Sequence, residues 1–339
     1  MYVKRMKLYG VNGFRLDLPL SGEGELPEAT RKRMLLQGGN GSGKTTIIES
    51  IAGLWNLFGE MIDGSSMSFS FPRTSRWNAS LTAMELGDFP KPGDSFWIAC
   101  GGSNEINDLK LANPDTPIAS LYRVATNLRV ELPPGDWKTI KLRSQQGMEP
   151  LPNIVHYPPD HRSPNPSRGS VKRLDLYDKN WLAVYDADYD LDSLLFTIRA
   201  MDPEKFEESI ILLDRLLLPS GKQLDGVQDR QGRLLIDIIG ERKQQPHPWI
   251  ALSSGERQML LLVVYAVCLL RDDSILLIDE PDLHIHVGMV KQLLDTLYSV
   301  AEKRNCQLIV SGHSQVLWDW FGLDAEMITL GAWQEAEGR

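Results

Sequence analysis

An eight-residue segment rich in glycine constrains the fold of this chain more than any other feature. It reads Gly38-Gly39-Asn40-Gly41-Ser42-Gly43-Lys44-Thr45 and fits the pattern GxxxxGK[ST] at every fixed position. A short apolar run, Met34 to Gln37, precedes the segment, and apolar residues with helical spacing follow it as far as Phe58. A strand, a glycine-rich loop and a helix in this order predict a phosphate-binding loop in an α/β fold.

The loop also predicts the chemistry of its ligand. Glycines let the backbone N–H groups turn toward phosphate oxygens, and the start of the following helix favours an anion. We expect Lys44 to reach the β- and γ-phosphates of ATP and the Thr45 hydroxyl to ligate Mg²⁺. The predicted nucleotide-binding residues here are Gly38, Asn40, Gly41, Ser42, Gly43, Lys44, Thr45 and Thr46.

A second motif is an apolar run, residues 275–278, that ends in Asp279 and Glu280. A buried strand that ends in two carboxylates needs a reason, because unpaired carboxylates are costly to bury. Beside a phosphate-binding loop, Asp279 is predicted to hold the Mg²⁺ shell. Glu280 is predicted to orient or deprotonate the attacking water, which makes it a catalytic candidate together with Lys44.

Two further motifs indicate a subclass among proteins with a phosphate-binding loop. Leu252-Ser253-Ser254-Gly255-Glu256 precedes a helix and resembles the LSGGQ signature of ABC ATPases. The resemblance implies that Ser253 and Gly255 bind the γ-phosphate of ATP held by another subunit. It makes Ser253, Ser254, Gly255 and Glu256 the predicted nucleotide-binding residues of this segment. The run 308–312 ends at His313 and resembles the switch histidine of the same ATPases, which implies a γ-phosphate contact and a catalytic role for His313.

Residues 279–286 read Asp-Glu-Pro-Asp-Leu-His-Ile-His, which resembles the string of SMC/RecF-like and OLD-like ATPases, with Val287 where the family has proline. The chain's opening, with Asn12-Gly-Phe14-Arg15, also resembles this group. The resemblance implies a P-loop NTPase of ABC type, an α/β fold with a mixed sheet flanked by helices. Either Phe14 or Arg15 is a candidate to stack on adenine. The candidates for the Q-loop are Gln145, Gln146 and residues 157–162.

The resemblance implies a single ABC-type ATPase domain over 1–339. Residues 1–60 and 230–339 are expected to form the nucleotide-binding core. Residues 61–229 are expected to form an insertion with a β-rich arm and a short helical lid, in which 62–150 are antiparallel strands and loops. Six prolines in 150–168 predict a long irregular loop there.

Composition excludes several other classes of protein. The net charge of −9 argues against a general polyanion binder, although 138–173 carries seven Lys or Arg against two acids and is a candidate nucleic-acid surface. Three scattered cysteines support neither disulfides nor a zinc site. The longest apolar run, 259–270, is shorter than the roughly 20 residues that span a bilayer. We expect a soluble cytoplasmic protein without direct membrane insertion.

The resemblance implies an ATP hydrolase that closes as a homodimer around two ATP molecules and regulates a separate effector protein, in DNA repair or bacterial anti-phage defence. An alternative is the ATPase subunit of a membrane ABC transporter, which the long spacing between Lys44 and Ser253 and the 279–286 string disfavour. A non-hydrolysing scaffold is disfavoured because every catalytic candidate is present. We expect no attached toprim-type nuclease.

Overall fold

The computed structural model describes most of the chain. The described residues are 1–11, 14–20, 32–63, 79–124, 127–145, 151–159, 173–174, 176, 181–185, 190–228, 233–238, 246–283, 285–322 and 325–331.

The described residues form strands and helices that alternate along much of the chain. The strands are β1 (Tyr2–Val11), β2 (Phe14–Pro19), β3 (Arg33–Gln37), β4 (Leu81–Gly87), β5 (Ser95–Gly101), β6 (Ile118–Val124), β7 (Asn127–Glu131), β8 (Ile154–Tyr157), β9 (Leu182–Val184), β10 (Lys222–Gln228), β11 (Arg233–Ile238), β12 (His247–Pro248), β13 (Ile275–Asp279), β14 (Gln307–Gly312) and β15 (Glu326–Thr329). The helices are α1 (Lys44–Asp63), α2 (Ser103–Ala112), α3 (Trp137–Gln145), α4 (Leu191–Met201), α5 (Pro203–Leu217), α6 (Ser254–Leu269), α7 (Val287–Lys303) and α8 (Gln315–Phe321).

The centre of the fold is a parallel sheet in the order β15-β3-β14-β13-β8-β9. Side chains of β13 alternate between two apolar clusters: Ile275 and Leu277 face one, Leu276 and Ile278 the other. Both faces of the sheet are therefore covered, as a parallel sheet requires. The carboxyl ends of β3, β13 and β14 lie along one edge, and the predicted motifs follow these strands.

A second six-stranded sheet, ordered β2-β1-β4-β5-β6-β7, covers the outer side of α1. Helix α1 lies between the two sheets because its apolar residues, including Ile48 and Leu54, occur around most of its circumference. Its second half contributes Trp55 and Phe58 to a cluster of buried aromatic rings. The helix that begins at the phosphate loop is thus held on both sides.

The opposite face of the parallel sheet is covered by α6 and α7, with α4 and α5 packed around α6. A small antiparallel sheet, β10-β11-β12, lies beside α5. At the start of α5, the N-cap residue Asp202 accepts a hydrogen bond from the Lys205 N–H, and Pro203 occupies the first turn.

The structure confirms the strand and helix around the glycine loop, the helix after the signature segment and the strand that ends at Asp279. The prediction of an irregular loop over 150–168 is wrong in part. Residues Ile154–Tyr157 form β8, a buried strand that pairs in parallel with β13. The neighbouring prolines, at 152 and 158, flank this strand without interrupting its hydrogen bonds.

The prediction of antiparallel strands and loops over 62–150 is also incomplete. Helices α2 and α3 lie in this region, and α2 connects β5 to β6, which pair in parallel. A parallel pair needs such a crossover connection, whereas the other neighbouring strands of this sheet are antiparallel.

Strands from the predicted insertion lie in both large sheets: β4–β7 beside β1, and β8–β9 beside β13. The division into a nucleotide-binding core and an inserted region, 61–229, stays a prediction. Among the described residues, no helix combines the length and hydrophobicity that a membrane span needs.

Candidate nucleotide-binding site

The phosphate loop connects the carboxyl end of β3 to the first turn of α1. Gly41 and Gly43 have φ angles of 78° and 92°, a region that glycine adopts without steric cost. At Gly38 a Cβ atom would lie only 2.5 Å from Ser42 Oγ and 2.8 Å from the Leu330 carbonyl oxygen. Steric constraints therefore explain why the pattern requires glycine at positions 38 and 43.

Lys44 lies over this loop. Its side chain donates hydrogen bonds to the carbonyl oxygens of Gly38, at 2.8 Å, and Gly39, at 3.0 Å. The residue is 5% exposed, so its ammonium group is held at the loop. The buried Oγ of Ser42 has no hydrogen-bond partner among the described residues. A cation and an unsatisfied hydroxyl on one curled loop suit an anionic ligand with several oxygen atoms.

Asp279 ends β13 and is fully buried. The strand register places it opposite Ser311 of β14, and the Ser311 hydroxyl donates a hydrogen bond to the Asp279 carboxylate. No sequence motif marks Ser311, because the role of a serine in an apolar strand depends on its neighbour in the adjacent strand.

Glu280 and His313 lie together at the same edge. Glu280 has a φ of 53°, and its N–H donates to the Ser311 carbonyl at 3.0 Å. A left-handed conformation at a non-glycine residue is costly and persists where the surroundings impose it. The Glu280 carboxylate lies 3.7 Å from His313 Nδ1, and the His313 side chain is 48% exposed. The carboxylate is thus directed toward the open side of the site.

The signature segment begins α6. Ser253 is the N-cap, and Glu256 completes a capping box: its carboxylate accepts from the Ser253 N–H at 3.0 Å and from the Ser253 hydroxyl at 2.8 Å. The other oxygen of this carboxylate accepts from Lys222 Nζ at 2.6 Å. Burial alone would raise the pKa of Glu256, but the hydrogen bonds from Lys222 and Ser253 outweigh it and hold the pKa below its ordinary value.

Helix α6 runs antiparallel to β8. The Leu269 carbonyl accepts from the Asn153 side chain just before β8, and the Leu262 carbonyl accepts from the Tyr157 hydroxyl at the end of β8. The first residues of α6 therefore point toward the carboxyl edge of the parallel sheet. They lie on the face opposite α1, because α6 and α1 belong to different apolar clusters.

Comparisons with known proteins agree with this geometry. Residues 159–319 match a family described as "AAA domain, putative AbiEii toxin, Type IV TA system". An Smc head bound to the C-winged helix domain of ScpA is similar in structure, with a TM-score of 0.52 and 16% identity over 97% of this chain and 94% of that chain. The chain therefore has the fold of an SMC head domain.

Two other solved structures give lower scores. The SMC head domain from Thermotoga maritima has a TM-score of 0.48 and 13% identity, over 97% of this chain and 94% of that one. An Smc head domain with an extended coiled coil, bound to the C-terminal domain of ScpA and derived from Pyrococcus furiosus, has a TM-score of 0.46 and 14% identity, over 98% and 94%. A comparison with curated protein sequences gives no significant match.

The family match includes the signature segment, Asp279, Glu280 and His313, while the phosphate loop lies before it. The residues at the carboxyl edge of the parallel sheet fit ATP and Mg²⁺ on chemical grounds. The Thr45 hydroxyl and the Asp279 carboxylate are oxygen donors, which Mg²⁺ prefers. The Ser42 hydroxyl and the Lys44 ammonium are suited to phosphate oxygens.

Some of the predicted residues lie away from the site, and others are not among the residues that the structure describes. Arg15 lies over the Tyr9 ring, 4.4 Å from its centroid, and the side chain of Phe14 is not among those described. Of the Q-loop candidates, Tyr157 is buried in the core. Gln146 and 160–162 lie outside the described residues, as does the side chain of Gln145.

Proposed function

We propose that this chain binds and hydrolyses ATP with Mg²⁺. One observation carries the proposal. The phosphate loop with Lys44, the buried Asp279, and the pair of Glu280 and His313 lie at the carboxyl ends of three adjacent strands of one parallel sheet. Ligands of open α/β sheets bind outside the carboxyl ends of the strands. ATP supplies the scissile phosphoanhydride bond, and the bound Mg²⁺ offsets charge on its phosphates.

Each group has a role that its position supports. Lys44 would exchange its carbonyl partners for the β- and γ-phosphates. Thr45 and Asp279 would hold the metal shell, with Ser311 orienting Asp279. Glu280 would accept a proton from the attacking water, and His313 would contact the γ-phosphate from the exposed side of the site.

We further propose that two copies close around two ATP molecules. Ser253 and Gly255 of one copy would bind the γ-phosphate held by the other. Two observations support this. The start of α6 lies on the sheet face opposite α1, and within the described residues no hydrogen bond or ion pair of Ser253–Glu256 reaches the phosphate loop. The N-terminus of a helix attracts anions, so the start of α6 suits the γ-phosphate of ATP bound to a second copy.

The closed and open dimers would regulate a separate effector protein, with nucleic acid as a further candidate ligand, in DNA repair or anti-phage defence. The resemblance of the 279–286 string to SMC/RecF-like and OLD-like ATPases supports this assignment, and so does the family description, which names a toxin of a toxin–antitoxin system. The SMC head structure supports a partner protein, since that head is bound to a domain of ScpA.

The first test is the substitution Lys44→Ala. It removes the cation from the phosphate loop, so ATP binding measured by calorimetry is expected to be lost while the thermal unfolding temperature stays near that of the parent. Unchanged ATP affinity in a folded Lys44→Ala protein would refute the phosphate-loop assignment.

The second test traps the dimer. Glu280→Gln removes the base but leaves the binding groups in place, so gel filtration with ATP and Mg²⁺ is expected to show a dimer that disappears without nucleotide. A monomer under both conditions, at micromolar protein, would refute the split site. A pull-down with tagged Glu280→Gln protein from the native host then identifies the partner, and capture of a membrane protein would favour the transporter alternative.

A further inference from the structure

The Glu256 carboxylate occupies an unusual place for a site that binds phosphate. One of its oxygens lies 2.8 Å from Ser253 Oγ, the hydroxyl that is proposed to meet the γ-phosphate. The residue is 7% exposed, so water screens its charge poorly. The ABC signature that this segment resembles has a neutral glutamine at the same position. A bare carboxylate here would repel the incoming phosphate.

Lys222 supplies the opposite charge. Its ammonium group lies 2.6 Å from the second oxygen of Glu256, and its side chain is 22% exposed. Lys222 is the first residue of β10, outside every motif recognised in the sequence. Its backbone is fixed by the preceding Gly221, which has a φ of 70°, and by pairing with Ile238 of β11. A separate small sheet thus delivers a cation to the signature segment.

The pair also orients Ser253. With one carboxylate oxygen held by Lys222, the other accepts hydrogen bonds from both the N–H and the hydroxyl of Ser253. Loss of the cation would leave a poorly hydrated carboxylate free to turn away from Ser253. The helix start would then lose its capping box and its charge balance together.

We propose that Lys222 is a positioning residue for the proposed γ-phosphate contact, acting through Glu256 to neutralise and orient the signature segment. The inference rests on the proposed ATP-dependent dimer. It adds that β10, which lies between the motifs in sequence, controls how readily the signature segment of one copy accepts the ATP of the other.

The test uses Lys222→Met in the Glu280→Gln protein. Loss of one partner of a mostly buried charge pair is expected to raise the ATP concentration that half-saturates dimer formation by about 10- to 100-fold. ATP affinity of the dilute monomer, measured with a fluorescent ATP analogue, is expected to be unchanged because the phosphate loop is untouched. Lys222→Arg, which keeps the charge, serves as the conservative control and is expected to stay close to the parent.

The decisive variant is the double substitution Lys222→Met with Glu256→Gln. Glutamine completes a capping box without a charge, so the double variant is expected to recover dimerisation to within about threefold of the parent. A role of Lys222 in packing β10 alone predicts no such rescue. Thermal unfolding of each variant verifies that all are folded.

The outcomes separate the two proposals. If the Glu280→Gln parent dimerises with ATP and Lys222→Met does so equally well, the inference about Lys222 is overturned and the proposed function stands. If Lys222→Met is impaired and Glu256→Gln gives no rescue, the inference is also overturned. If the parent itself forms no ATP-dependent dimer, the proposed dimer fails and the inference fails with it.

Discussion

Replacing Gly38 by alanine tests the geometry of the phosphate loop directly. The new Cβ would lie 2.5 Å from Ser42 Oγ and 2.8 Å from the carbonyl oxygen of Leu330. The Ser42 hydroxyl can rotate away at little cost. The Leu330 carbonyl cannot move easily, because the Leu330 N–H donates to the Gln37 carbonyl at 2.8 Å and continues the pairing of β15 with β3. The alanine therefore displaces the loop itself.

The size of the effect follows from this contact. One extra methyl group in a closely packed place costs about 1–3 kcal/mol when the surroundings cannot relax. Each 1.4 kcal/mol changes an equilibrium constant about tenfold, so ATP is expected to bind about 5- to 150-fold more weakly if the nucleotide-bound loop carries the whole cost. If part of the steric cost is already present in the nucleotide-free protein, that part lowers the free energy of unfolding.

The assay compares Gly38→Ala with Gly39→Ala, using calorimetry for ATP binding and urea denaturation for stability. Gly39 is the matched control, because a Cβ there meets no atom within 4 Å and the position is variable in the GxxxxGK[ST] pattern. We expect the Gly39→Ala protein to bind ATP within about twofold of the parent, as uncrowded surface substitutions do. Equal ATP affinities for the two variants would refute the steric argument for Gly38.

Two other predictions concern side chains that sequence motifs do not include. Ser311→Ala removes a hydrogen bond to a buried carboxylate, an interaction of about 1.5–3 kcal/mol, and is expected to slow ATP hydrolysis by about 10- to 150-fold; a steady-state rate within twofold of the parent would contradict this. Burial alone would raise the pKa of Glu208, but its hydrogen bonds and ion pairs with Arg304 and Lys303 outweigh it and lower the pKa. Glu208 therefore stabilises the fold above its ordinary pKa of 4.5, and this contribution is lost as the pH falls below that value. Glu208→Gln is expected to lower stability at pH 7 and to flatten the acid limb of a curve of unfolding free energy against pH, whereas an unchanged acid limb would contradict the assignment.

The amino-acid sequence by itself determined the motifs and the elements that carry them. The phosphate loop, the Asp279–Glu280 pair and His313 each follow an apolar run, and the structure places each at the carboxyl end of a strand of the parallel sheet. These features could be predicted because their signals are local. A glycine pattern, a periodicity or a capping residue acts through contacts within one or two turns of the chain.

Only the tertiary structure decided which distant residues meet. The segment of β8 lies between prolines, which are typical of a loop, and only its pairing with β13 identifies it as a strand. The role of Ser311 depends on the strand register, which places it opposite Asp279. Lys222 reaches Glu256 from a different sheet. Such contacts join residues far apart in sequence, and their partners are selected by strand register and the packing of both sheet faces. A local sequence pattern therefore does not predict which of these residues meet.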